Sequence, residues 1–488
     1  MLFNSIEFAF FFPVVTLLFF LLPHRFRWLL LLLASCFFYM FFKPEYILIL
    51  FFTILIDYFA GIWIANEPVK KKRKRLLLLS IIANVGVLAV FKYFNFFADN
   101  VNTLLGSLHV EQQVPLLKIL LPIGLSFHTF QAMSYTIEVY RGNQQPEKHF
   151  GIYALYVMFY PQLVAGPIER PQNILHQFYE KKQFDYENMR HGLILIAWGL
   201  VKKVVIADRL ALFVNQVYNQ PGGYIGLPLA LGTIFFAFQI FCDFSGYSDI
   251  AIGCARCMGF HLMTNFNRPY QAITISEFWK RWHISLSTWF RDYVYISLGG
   301  NRVSRLRRYF NLFVVFLLSG IWHGANWTFA LWGALHGTYL VLEDNFYRRF
   351  PTLANKAGAM TRLVKRSFVF ILVCLAWVFF RAKTVTESFY ILRNIFSGWY
   401  QQLKQLAAGT GYGRLHLIYL EQEGSQFFMA IVFIILMLLV HRLQGRDTFD
   451  NWVVSRKKNT RWSIYYGMIF LFVLFGIFNR SEFIYFQF

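Results

Sequence analysis

Charge is scarce in this chain. Asp, Glu, Lys and Arg make up 15% of its 488 residues, against the roughly 25% usual in a soluble domain. Acids are the scarcer sign, with 25 Asp and Glu against 47 Lys and Arg and a formal net charge of +22. Cysteine is sparse as well. Cys36, Cys242, Cys254, Cys257 and Cys374 show no disulfide framework, and three of them lie in or beside apolar runs. Cys254 and Cys257 have the spacing of a redox motif or of half a zinc site. No second pair completes such a site, so the spacing is read as chance. There is no Walker or Rossmann glycine pattern, no Gly-x-Ser-x-Gly elbow, no convincing metal cluster, no internal repeat and no low-complexity tail. The first apolar run, Ile6 to Leu22, has no basic stretch before it and no small-residue cleavage site after it, so no cleavable signal peptide is expected.

What is abundant is apolar bulk. The chain is 57% hydrophobic, with 58 Phe, 27 Tyr and 13 Trp. A water-soluble core cannot absorb that many large side chains, but a lipid-facing surface can. Apolar runs fall at about 6–22, 28–42, 46–65, 76–91, 119–137, 188–206, 225–243, 309–321, 325–342, 366–380, 427–440 and 462–479. The fold class expected is therefore an all-α, polytopic transmembrane helical bundle. A crossing needs roughly 20 residues. Several runs are shorter, so kinked, broken or shielded helices are expected among eleven or so spans. The brief run 151–164 reads as re-entrant.

The basic residues sit in short loops between these runs. That is a topology signal, and it argues against a nucleic-acid partner. Lys70 to Arg75 is placed in a cytoplasmic loop, and counting back three spans puts the N-terminus outside. The basic stretch Arg442 to Arg461 also belongs inside, which puts the C-terminus outside. Residues 266–308 form a longer hydrophilic region with Arg268, Lys280, Arg281, Arg291, Arg302, Arg305, Arg307 and Arg308 against Glu277 and Asp292. Phe278, Trp282, Leu286, Trp289 and Tyr293 recur there at helical steps after a candidate N-cap, Ser276. An amphipathic helix lying on the inner membrane surface is expected.

The stretch with most chemistry is Ser319-Gly320-Ile321-Trp322-His323-Gly324-Ala325-Asn326-Trp327. No Asp, Glu, Lys or Arg occurs among the 34 residues from Tyr309 to Leu342, fewer than the roughly 40 that two crossings need. The hairpin must be short or broken, with His323 at or near membrane depth. Gly320 and Gly324 permit a bend or a close backbone approach. An ionisable side chain there is a functional candidate, and neutral imidazole is what a general base must be. The plainer reading is a histidine bonded to a neighbouring helix, and the residues alone leave both open. His283, amid Arg and Lys, reads by composition as an interfacial structural residue. Its functional reading is a place beside a channel whose Arg281 and Arg291 attract a phosphate-bearing donor. His336 falls on a different face from His323 if their helix is continuous. Asp57 is an intramembrane acid expected to bond a neighbouring helix. Asp243 and Asp249 read as helix caps or bends around Gly246, and Glu169 as a partner of Arg170 or of a basic loop.

Four strings together resemble the membrane-bound O-acyltransferase (MBOAT) family: Val164-Ala165-Gly166-Pro167-Ile168-Glu169-Arg170-Pro171, Asp243-Phe244-Ser245-Gly246-Tyr247-Ser248-Asp249, Glu277 to Arg302, and Ser319 to Gly337. The resemblance is dense from about 120 to 345, within one membrane domain spanning 1–488 with peripheral spans at 1–118 and 366–488. It implies helices around a central tunnel, His323 as catalytic base, His283 as a second active histidine, and acetyl-coenzyme A as acyl donor from the cytoplasm. Trp322, Asn326, Trp327, Arg281 and Arg291 become candidate substrate contacts. A periplasmic or secreted acyltransferase partner, membrane lipid and an exported polysaccharide are the further partners implied, in the bacterial inner membrane. The family pattern leads one to expect an aromatic at His128, which is read as structural. A transporter or export channel, or a scaffold for soluble acetylation partners, also fits many spans with buried polar groups.

Overall fold

The computed structural model describes residues 1–118, 122–164, 166–355, 358–409, 411–478 and 483–484. The start of the expected 119–137 span, Ala165 of the first family string and the last four residues of the chain lie outside these. The described residues are helical with no strand. Five helices are long and apolar enough to cross a membrane: Tyr46–Asn66, Lys70–Ser107, Leu227–Cys257, Ala359–Arg381 and Gly424–Leu443. Most of the other expected spans are helices too short or too polar for that criterion. The run 151–164 becomes two short buried helices, Phe150–Met158 and Tyr160–Leu163. Backbone contacts divide the chain into two compact units, Met1–Ile196 with Tyr247–Thr264, and Ala197–Gly246 with Asn265–Phe488.

In the first unit, Tyr46–Asn66, Lys70–Leu88 and Leu125–Arg141 pack on one another around Asp57, which is fully buried. Asp57 bonds a neighbouring helix, as its sequence position suggests. Ser80 Oγ donates to it at 2.5 Å, and Asn84 Nδ2 donates to both carboxylate oxygens at 2.9 and 2.8 Å. The basic run Lys70–Arg75, expected in a loop, instead opens the helix Lys70–Leu88 with its side chains largely exposed. Arg73 turns back to donate to the Tyr140 carbonyl at 2.9 Å, satisfying an orphan acceptor at the end of Leu125–Arg141. Glu169 does not pair with a basic side chain as its first partner. It is buried and accepts from the Met263 backbone N–H and from Asn173 Nδ2. Cys257 sits against Gly192, where a Cβ would lie 2.4 Å from its sulfur. His128 is buried with Nδ1 3.3 Å from the Val157 carbonyl, a structural placement.

In the second unit, the helix Leu227–Cys257 runs unbroken through Gly246, which lies against the Gly199 carbonyl rather than bending the chain. Asp243 therefore caps nothing. Lys203 Nζ reaches both Asp208 at 2.8 Å and Asp243 at 2.9 Å, with all three side chains buried. Asp243 Oδ2 also accepts from the Ile484 backbone N–H at 2.8 Å. Lys203 lies in the π-turn Val201–Ala207, whose wider coil is a frequent feature of functional helices. Removing one member of a buried ion network leaves charge uncompensated, at about 3–5 kcal/mol. Lys203→Met should therefore lower the thermal unfolding midpoint of the detergent-solubilised protein markedly. An unchanged midpoint in differential scanning fluorimetry would show that the network carries no stability.

Candidate active site

The hairpin around His323 owes its shape to glycine. The first helix, Arg305–His323, ends where Gly324 turns extended, and Trp327–Arg349 begins after the N-cap Asn326. A Cβ on Gly320 would lie 2.3 Å from the Phe329 carbonyl oxygen, and one on Gly333 would lie 2.3 Å from that of Phe316. Bare backbone at both positions lets the two helices cross at a distance other residues forbid. Of the two forms that its length allows, short or broken, the hairpin takes the second, with the chain turning at Gly324. His323 is buried at its turn, 5% exposed. Its ring is caged by Trp322 at 4.9 Å, Trp332 at 5.0 Å and Phe380 at 5.3 Å, all in edge-on geometry.

Trp332 organises this cage. It stacks on Trp377 at 5.8 Å and 18°, and lies 5.0 Å from His336 as well as from His323. The expectation that His336 faces elsewhere fails because the helix is not continuous: the break at Gly324 resets the angular count. His336 is fully buried, and Trp279 Nε1 donates to its Nδ1 at 3.3 Å.

His283 is not on a surface helix. It sits between Ile275–Arg281 and Ile284–Trp289 in the left-handed region, φ 43°, with no exposure, a conformation that a branched or bulky side chain adopts only under constraint. The constraint is Asn265. Its backbone carbonyl accepts from the Ile284 N–H at 2.9 Å. Its Oδ1 accepts from Ser285 N at 3.2 Å and Ser285 Oγ at 2.9 Å, and meets His283 Nδ1 at 3.1 Å. Because a backbone N–H can only donate, that amide atom is the oxygen, and neutral His283 carries its proton on Nδ1. Phe278, Trp282, Leu286, Trp289 and Tyr293 are all buried. The periodic face thus packs within protein and does not lie on lipid. The N-cap is Thr274, which accepts from Glu277 N at 3.0 Å while Glu277 accepts from Ile273 N at 2.8 Å.

The remaining candidates divide. Trp322 is in the cage. Asn326 accepts from Thr328 N at 3.0 Å and donates to the Lys383 carbonyl at 2.9 Å, so its amide holds the turn beside His323. Trp327 is 56% exposed. Arg281 pairs with Glu277 at 2.6 Å, and exposed Arg291 with Asp292 at 2.7 Å. The two histidines belong to separate aromatic clusters linked through Trp282, which lies 5.1 Å from Phe266 on the His283 side and 5.0 Å from Trp377 on the His323 side. Sequence reasoning missed Asn265, Trp377 and the Trp332/His336 pair. Only the last left a signal, the i, i+4 spacing that brings two rings together on one helix face.

Asn265→Ala deprives Ser285 N–H, the Ser285 hydroxyl and His283 of one acceptor. Each such loss costs about 1–3 kcal/mol when buried. Transfer activity should fall at least about tenfold, and Asn265→Asp, which keeps an acceptor oxygen, should recover part of it. Equal loss in both variants would mean that the oxygen is not what positions His283.

The MBOAT family, membrane-bound O-acyltransferases, matches residues 75–385. The chain is 39% identical over 426 residues to the probable alginate O-acetylase AlgI of Pseudomonas aeruginosa, covering 86% of this chain and 80% of that protein. It is 35% identical over 410 residues to the peptidoglycan O-acetyltransferase of Helicobacter pylori, covering 78% and 73%. It is also 29% identical over 265 residues to the teichoic acid D-alanyltransferase of Streptococcus thermophilus, covering 48% and 60%. A family match over residues 75–385, a range that includes the His323 hairpin and the His283 turn, makes this multi-pass membrane protein a member of the membrane-bound O-acyltransferase family and an O-acyltransferase.

Proposed function

We propose that this enzyme moves an acetyl group from cytoplasmic acetyl-coenzyme A toward an exported polysaccharide, with His323 as general base. The observation that carries this reading is His323 itself: an imidazole held at the break of an uncharged hairpin, 5% exposed and fixed by three aromatic rings. A base so held loses little order on reaching the transition state. His323 takes the proton of an acceptor hydroxyl as that oxygen attacks the acyl carbon. The new C–O bond forms while the carbonyl π electrons move onto oxygen. Collapse of that intermediate breaks the C–S bond, and the protonated imidazole returns its proton to the departing thiolate. The oxygen that receives the acetyl group belongs to the polymer or to a periplasmic or secreted acyltransferase partner that passes it on. The names of the relatives, alginate O-acetylase and peptidoglycan O-acetyltransferase, support a polymer acceptor.

His283, with Nε2 as its basic nitrogen once Nδ1 is held by Asn265, is the second active histidine in this reading. Arg281 and Arg291 draw in the phosphates of the donor. The inner membrane, with both termini outside, is the setting that the basic stretches support. His323→Ala, inserted and accumulated like the wild type, should reduce polymer acetylation by about 10²–10⁴-fold, the usual worth of a positioned acid–base group. Undiminished acetylation in that variant would take His323 out of the mechanism.

A further inference from the structure

Around His323 the protein buries indole N–H groups that no atom of the described residues accepts. Trp332 and Trp377 are both 0% exposed, and among the described residues neither Nε1 has a hydrogen-bond partner. An indole nitrogen can only donate, and a buried donor left without an acceptor costs free energy that a native fold rarely tolerates twice in one place. These two donors are on rings stacked 5.8 Å apart. Trp332 touches His323 edge-on, and both tryptophans lie 5.3 Å from Phe380, which also touches His323. A third such donor lies on a ring next to Trp332. Trp279 Nε1 donates to His336 Nδ1, so the proton of the neutral imidazole is on Nε2, which likewise meets no acceptor, and His336 lies 5.0 Å from Trp332. A buried aromatic cluster that holds a base together with several acceptor-less N–H groups lacks one component, an oxygen that gains negative charge.

We infer that Trp332, with Trp377 beside it, donates its indole N–H to the acyl carbonyl oxygen as His323 deprotonates the attacking hydroxyl. This rests on the acyl-transfer reading of His323. The donors gain strength as the C=O electrons move onto oxygen and lose it when the C–S bond breaks. They therefore stabilise the tetrahedral intermediate more than the bound thioester. Their N–H groups can only donate, which suits the oxygen of an acyl carbonyl.

The test replaces Trp332, and separately Trp377, by β-(3-benzothienyl)alanine, which keeps the ring's shape but has sulfur in place of N–H. Trp332→Phe is made alongside. The purified protein is assayed with labelled acetyl-coenzyme A. For the Trp332 replacement kcat should fall on the order of 100-fold, the effect of losing one oxyanion donor, with KM little changed. The infrared carbonyl band of a bound ketone analogue of acetyl-coenzyme A, sulfur replaced by methylene, should lie at lower frequency in the wild type than in the benzothienyl variant. A benzothienyl variant with wild-type kcat and an unmoved carbonyl band overturns the inference, while His323→Ala remains inactive. If His323→Ala is itself active, the underlying acyl-transfer reading fails instead, whatever the tryptophan variants do.

Discussion

Everything distinctive about the candidate site depends on two helices touching backbone to backbone. Gly320 and Gly333 face one another across the hairpin, and Gly337 lies against the backbone of Phe313 one turn further on. In a membrane protein the hydrophobic effect gives little drive to helix pairing, so close packing of small residues does the work. That contact fixes the crossing, the crossing fixes the break at Gly324, and the break places His323 where Trp322, Trp332 and Phe380 close on it. A side chain at Gly320 or Gly333 would push the helices apart and open the cage without touching the histidine.

The same fold handles charge sparingly. Asp57 is surrounded by hydroxyl and amide donors, Glu169 by a backbone N–H and an asparagine, and Asp243 and Asp208 by one lysine. The bonds of Asp57 to Ser80 and Asn84, of Glu169 to Met263 and of Lys203 to Asp243 are long-range in sequence and tie segments that lie far apart along the chain. Bonds of this kind are costly to leave half-made in a medium without water, which makes them register marks for the packing. They also explain why acids so rare in the chain recur at these few positions.

Much of this was legible beforehand. The helical membrane class followed from apolar bulk and the shortage of charge, and the burial of His323 from 34 uncharged residues too few for two full crossings. The same count leaves the hairpin short or broken, and Gly320 and Gly324 both allow a bend; the fold places the turn at Gly324. What the pattern did not disclose is what lies on the other side of an apolar face. Phe278, Trp282, Leu286 and Trp289 have a spacing that suits lipid and protein equally, and only the tertiary fold assigns them to protein. The bond from Asn265 that bends the chain at His283 had no local signature. Asp243 read as a cap because its partner Lys203 lies forty positions away, beyond any helical period. The angle that turns His336 away from His323 holds only for an unbroken helix, and the chain turns at Gly324 between them.

The two histidines outside the hairpin turn show how such a site fixes proton positions by donor and acceptor identity. Asn265 Oδ1 already accepts from a backbone N–H, so it can only accept from His283, whose Nδ1 must then carry the proton. Trp279 Nε1 can only donate, so Nδ1 of His336 must lack one. One neutral ring is left with a basic Nε2 and the other with an Nε2–H donor. Neither outcome depends on charge, and both rest on partners whose chemistry allows a single role. The same residue type is thereby set to opposite tasks within one unit, a base-like nitrogen in the Phe244–Phe266 cluster and a donor behind Trp332. Acyl transfer needs both kinds of group, one to accept a proton and one to meet developing negative charge. An aromatic interior with few ionisable residues can provide them only by locking tautomers in this way.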